Sequence, residues 1–197
     1  MDVDIILDAG HGGADPGAVY NGRREKDDAL ALTLAVGDKL QQDGIRVLYT
    51  RVNDVYHTPL EKAEIANRSG ADYFVSIHRN AMPVPGSASG AQVLVYEDAG
   101  VPAMMAEKIG GRLTEAGFQD LGIQERPGLI VLRRTQMPAV LVEAGFIDNE
   151  KDNEFFDENF EKIAQAIASG IEDTIRTQEN AKPEYYQVQV GAYRQRG

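Results

Sequence analysis

The 197-residue chain carries 31 Asp and Glu against 20 Lys and Arg, a formal net charge of −11, which argues against a nucleic-acid-binding surface because that needs a basic footprint. Hydrophobic residues make up 43%, enough for the core of one domain plus a tail. The absence of cysteine removes disulfides, thiolate catalysis and cysteine-ligated zinc together.

No apolar run reaches the length of a membrane span. The acidic start, Met1-Asp2-Val3-Asp4, passes straight into an apolar run, so no secretory leader is expected on this chain. Val3, Ile5, Ile6 and Leu7 predict a buried strand of a parallel sheet. That strand breaks at once into Asp8, Gly10, His11, Gly12 and Gly13, where ligands bind in open α/β sheets. Asp15 to Arg24 is polar and turn-rich, with Pro16, Gly17 and Asn21-Gly22. A helix is predicted from about Glu25 to Gln42, with Ala29, Leu32, Val36 and Leu40 as its apolar stripe and Gly44 as its stop.

Ile45 to Tyr49 predicts the second strand and Pro59 to Asn67 a short helix. Tyr73 to Ile77 predicts a third strand, followed directly by His78, Arg79 and Asn80. After a loop from Pro83 to Gly90, Ala91 to Tyr96 predicts a fourth, and Val101 to Ala116 a helix ending at Gly117. Leu129 to Leu132 and Ala139 to Val142 are the last two expected strands. Phe160, Ile163, Ile167, Ile171 and Ile175 lie at helical spacing and predict the closing helix. Strands alternating with helices imply an α/β fold, with a three-layer arrangement of a roughly six-stranded, mostly parallel sheet between helices on both faces. The polar segment 178–184 reads as a linker after a domain over 1–177. Residues 185–197 alternate like one strand of a second unit that they are too few to complete.

The three histidines are His11, His57 and His78. His11 and His78 follow predicted strands at one edge of the sheet, whereas His57 sits in a loop and reads as solvated or packing. Two imidazoles from adjacent strand ends suit a transition metal, and a catalytic zinc site adds a third protein ligand while leaving a position open. Spacing alone leaves that third ligand open among Asp15, Glu25 and Asp27. Glu143 closes the apolar strand Ala139 to Val142, where an acid is costly to bury without a partner. Such an acid can move a proton between water and a leaving nitrogen. The glycine-rich loop is neither a P-loop nor a dinucleotide fingerprint, since Asp15 stands where the third glycine would be. Neither a Gly-x-Ser-x-Gly elbow nor a His-Glu-x-x-His helix occurs.

Leu7-Asp8-Ala9-Gly10-His11-Gly12-Gly13, Arg24-Glu25-Lys26-Asp27, Ser76-Ile77-His78-Arg79-Asn80-Ala81 and Val142-Glu143-Ala144-Gly145-Phe146 follow one another in that order. Together, over about Val3 to Arg176, they resemble the zinc-dependent N-acetylmuramoyl-L-alanine amidases of the bacterial cell wall, often called amidase 3. The resemblance implies one zinc ion on His11, Glu25 and His78, with Glu143 as the acid/base. It implies hydrolysis of the amide between N-acetylmuramic acid and L-alanine of the peptidoglycan stem. Asn80 and Arg79, beside a ligand, are expected substrate contacts. Peptidoglycan is the expected partner, an extracellular or cell-wall location follows from that substrate, and a monomer is expected.

The chain departs from the family in two places. Lys62 stands where many relatives carry arginine, a change expected to be structural. Larger relatives also carry a blocking helix between the fourth strand and the next helix, and Glu97 to Pro102 leaves no room for one. Tyr186 to Arg194 resembles the opening of a SPOR repeat, a peptidoglycan-binding module, but covers only its first strand. The rival readings are a zinc peptidase cutting within the stem peptide and a wall-binding module without catalysis.

Overall fold

The computed structural model describes residues 4–181. Its centre is a six-stranded sheet. In chain order the sheet strands are β1 (Asp4–Ala9), β4 (Arg46–Tyr49), β5 (Tyr73–Asn80), β6 (Ala91–Val95), β7 (Asp120–Glu125) and β8 (Ala139–Phe146). Two short strands, β2 (Val19–Tyr20) and β3 (Arg23–Arg24), pair as a hairpin across Asn21-Gly22. The helices are α1 (Glu25–Gln42), α2 (Pro59–Ser69), α3 (Gly100–Ala116), α4 (Ile130–Arg134), α5 (Glu150–Glu158) and α6 (Phe160–Asn180).

The sheet order is β4-β1-β5-β8-β6-β7. Neighbours are parallel except β6 and β8, which run antiparallel. Alternation along each strand sends its side chains to two unequal layers. Ile5, Leu7, Val75, Ile77, Val93, Val95, Val140 and Val142 face the larger core, formed with α1, α3 and α6. Ile6, Phe74, Leu94 and Leu141 face the smaller one, which includes Ala66 of α2 and Val131 and Leu132 of α4. The predicted stripes are buried as expected: Leu32, Val36 and Leu40 in α1, and Ile163, Ile167, Ile171 and Ile175 in α6. Each such side chain contributes roughly 1.5–3 kcal/mol on leaving water. α2 starts on a capping box in which Thr58 and Glu61 bond each other's backbone N–H, with Pro59 in the first turn.

The six-stranded, mostly parallel sheet between helices is the architecture read from the sequence, with one strand in a different place. The apolar run from Leu129 is not a strand. Ile130–Arg134 is a short helix, and the edge strand is Asp120–Glu125 instead. A run of four apolar residues fits either conformation, and here Pro127-Gly128 turns the chain just before it. β5 and β8 also extend beyond their apolar runs, so His78 and Glu143 lie within strands rather than just after them. The register between these strands shifts between His78 and Asn80, opposite a segment containing Gly145 at φ +83°. α6 continues to Asn180, so the first part of the expected linker is helical. The rest of that linker, and the SPOR-like segment 185–197, lie outside the described residues.

Candidate metal centre and cleft

The chemistry-bearing side chains fall on the thinly covered face. Asp8 shares it with Ile6, Ser76 and His78 with Phe74, and Glu143 with Leu141, because each is an even number of residues away. α2 and α4 cover only part of this face, and a cleft of about 650 Å³ opens over the remainder. A smaller hollow of about 360 Å³ adjoins it, sharing His11, His78, Leu129 and Leu141.

Among the described residues, His11, Glu25 and His78 each offer a ligand atom within 4.8 Å of the others. Glu25 opens α1 and lies between the two imidazoles. Its Oε2 is 3.0 Å from His11 Nε2, and its Oε1 is 2.8 Å from His78 Nδ1. Backbone N–H groups complete its surroundings: Ala18 donates to Oε2 at 2.9 Å and Arg79 to Oε1 at 3.2 Å. Burial alone would raise the Glu25 pKa, but the bonds and charges of His11 and His78 outweigh it and hold the carboxyl far below the usual range. Burial likewise opposes charge on His11, yet Glu25 and Asp15 together raise its pKa. Asp15 Oδ2 lies 2.8 Å from His11 Nδ1, the nitrogen turned away from Glu25. It therefore stands behind His11, outside the group of three. Asp27, the other open candidate, pairs with Arg24 at 2.6 Å and does not join the group. His57 lines the smaller hollow and is also outside it.

The loop carrying His11 is clamped from below. Arg51 donates to the carbonyls of Ala9, Gly10 and Lys26, and Lys62 to that of Ala9 at 2.7 Å. Asp8, fully buried, accepts from the Thr50 and Ser76 hydroxyls at 2.5 and 2.6 Å and pairs with Lys62 at 3.0 Å. Gly10 packs flat against the His78 ring. A Cβ there would lie 2.4 Å from Cε1, so only glycine lets the loop approach His78 this closely.

Glu143 is the register partner of His78 across β8 and β5, and of Gln92 on β6. It lines the large cleft, and its Oε2 is buried with no hydrogen bond. Burial pushes its pKa up to about 7, with His78 pulling the other way. Asn80 also lines the cleft, its Oδ1 accepting from the Ala81 N–H at 2.8 Å. Arg79, expected as a substrate contact, turns its side chain into the protein. Its guanidinium donates to Asp28 at 2.7 Å and Asn153 at 2.8 Å and lies 4.2 Å from the Phe156 ring centroid.

The donor set suits zinc: two imidazoles, one carboxylate, a second carboxylate behind a histidine, and a neighbouring acid with an unsatisfied oxygen.

Known proteins resemble this chain in both sequence and fold. The chain is 35% identical to the sporulation-specific N-acetylmuramoyl-L-alanine amidase of Bacillus subtilis, over 98% of its own length and 76% of the relative's. Its fold matches the solved N-acetylmuramoyl-L-alanine amidase of Clostridium difficile 630 with a TM-score of 0.84 and 30% identity, covering 90% of this chain and 98% of that one. It also matches the catalytic domain of the amidase CwlV from Bacillus (Paenibacillus) polymyxa, with a TM-score of 0.81 and 32% identity over 88% of this chain and 98% of that one. The family described as N-acetylmuramoyl-L-alanine amidase, amidase 3, matches residues 5–173, and the chain belongs to it.

Proposed function

We propose that this chain is a zinc-dependent N-acetylmuramoyl-L-alanine amidase that cuts peptidoglycan between N-acetylmuramic acid and L-alanine, at the cell wall or outside the cell. The observation that carries the reading is the placement of Glu143, with its free oxygen, beside a His11–Glu25–His78 ligand set in one open cleft. His11, Glu25 and His78 would hold the ion. When bound, zinc supplies a Lewis acid that lowers the pKa of water and polarises an amide carbonyl.

The rest is done by the chain itself. Asp15 orients the His11 ring through Nδ1, and the Ala18 and Arg79 N–H groups fix the Glu25 carboxylate. Glu143 takes the proton of the attacking water as the new C–O bond forms. It then gives that proton to the alanine nitrogen as the C–N bond breaks. Asn80, on the cleft wall, is a candidate substrate contact, and Arg79 a positioning residue behind Glu25. Only residues 96–99 separate β6 from α3, so the proposal includes a cleft that works without displacement of a blocking helix.

The test is an assay of the purified chain on isolated peptidoglycan, without an activator, with mass spectrometry of the new ends. Release of stem peptides beginning at L-alanine, lost on chelation, is the expected result. Glu143→Ala should lower kcat on the order of a hundred- to ten-thousand-fold while zinc stays bound. Cuts inside the stem would replace this reading with a zinc peptidase. No cuts with zinc bound would replace it with a wall-binding module.

A further inference from the structure

The large cleft continues well away from the metal group, and the mechanism above uses only its near end. Its floor is the open face of three strands. Glu143 of β8 is opposite Gln92 of β6, and Leu94, further along β6, is opposite Gln124 of β7. From Glu143 to Gln124 the floor crosses two strand spacings and two residues of strand, about 12 Å at ~4.8 Å per spacing and ~3.3 Å per residue. At that far end stands Arg126, which also lines the cleft. Its guanidinium donates to Gln124 Oε1 and to the Glu125 carbonyl, and it makes no ion pair among the described residues. The adjacent Glu125 carboxylate accepts instead from the Asp98 N–H. The other guanidinium lining the cleft, that of Arg79, is already paired with Asp28, so Arg126 is left to meet an anionic group of a substrate.

The chemistry of the two halves of the substrate decides what it fits. Once the lactyl carboxyl is in amide linkage, the glycan offers hydroxyl and acetamido groups, whereas the stem peptide carries free carboxylates. A guanidinium fork matches a carboxylate with two parallel hydrogen bonds. An extended peptide of three or four residues also spans about 12 Å at ~3.3 Å per residue.

We propose that Arg126, held by Gln124, is a specificity-determining residue that binds a carboxylate within the first four residues of the leaving peptide. The inference rests on the amidase reading above. It gives the two wings of the site different tasks, with the peptide lying over β6 and β7.

The test uses N-acetylmuramoyl tetrapeptides whose carboxylates are free or amidated one at a time, with kcat/KM measured for each. The parent should lose about tenfold on amidation at one position, the scale of one charge-assisted contact at an exposed site. Arg126→Ala should lose the same factor on the free substrate and no longer distinguish the two. Arg126→Lys should keep part of the preference, and Arg133→Ala, an exposed cation on α4 away from the cleft, should keep all of it. Equal zinc content and circular dichroism would show that each variant is folded. A parent indifferent to amidation at every position, or an Arg126→Ala that retains the preference, overturns the assignment. Failure of the parent to cleave any of these substrates or whole peptidoglycan overturns the amidase reading itself, and the role of Arg126 with it.

Discussion

His11 is held at φ +57°, a region that non-glycine residues occupy at a cost of roughly 1–3 kcal/mol. The clamp of Arg51 and Lys62 on the surrounding carbonyls offsets that cost and aims the imidazole at Glu25. Asp15 then fixes the ring from behind, at 2.8 Å. A carboxylate in this position raises the basicity of the ligand nitrogen and sets its tautomer. Asp15→Ala is therefore expected to weaken zinc binding about 10- to 100-fold, measured by competition with a chromophoric chelator. An unchanged affinity would assign Asp15 to loop structure alone. At this scale the sequence was only partly legible. The two histidines and Glu143 stood out because each adjoins an apolar run. Spacing left Asp15, Glu25 and Asp27 equivalent; the family resemblance pointed to Glu25, and in the folded chain that carboxylate lies between the two rings. The buried cluster of Asp8, Thr50, Ser76 and Lys62 joins residues up to 68 positions apart. Arg79 adjoins His78 in sequence, but β alternation turns its side chain to the opposite face.

Among the elements, those with a long apolar period were readable and those at the margins were not. α1 and α6 bury stripes several turns long, so their period is unmistakable. β7 packs only one face and has no strand beyond it, so DLGIQE carries few apolar residues and a glycine. α5 is mostly polar and buries only Asp152 and Phe156, and its start depends on the Asn149 side chain capping the first turn.

The contact between α6 and the end of α1 yields a prediction of its own. Glu172 has its pKa pushed up to about 7, first by burial and then by the neighbouring Asp43 carboxylate, and its Oε1 is buried without a partner. The folded state thus holds this proton more tightly than the unfolded chain. The contribution to stability is complete below about pH 4.5 and is lost as pH rises through about 7. Glu172→Gln removes the penalty. It should melt with the parent near pH 4 and be more stable at pH 8, by about 1 kcal/mol once water on the open side of the pair is allowed for. Thermal unfolding at the two pH values checks it, and equal melting temperatures at pH 8 would show that the pair relaxes into solvent.

For the molecule as a whole, the division of the sheet into a thick and a thin side explains where function can reside. The thick side, with α1, α3 and α6, holds most of the core, so the other face can stay partly uncovered as a cleft without loss of the fold. The three residues proposed to hold the ion nevertheless come from separate parts of that fold: His11 from the loop after β1, Glu25 from the start of α1 and His78 from β5. A metal ion binding all three favours the folded state alone, because the unfolded chain does not bring them together. At a free zinc concentration a thousand times the dissociation constant, this linkage amounts to ~4 kcal/mol. For a chain of this length each kcal/mol moves Tm by roughly 2–4 °C, so chelation should lower Tm by about 10 °C. Glu143→Ala should show the full shift, since it keeps the ligands. Asp15→Ala should show a smaller one at the same free zinc, and Glu25→Ala none. Differential scanning calorimetry with buffered zinc separates these cases. Equal shifts in the parent and in Glu25→Ala would place the ion elsewhere on the chain, and the ligand set would have to be reassigned.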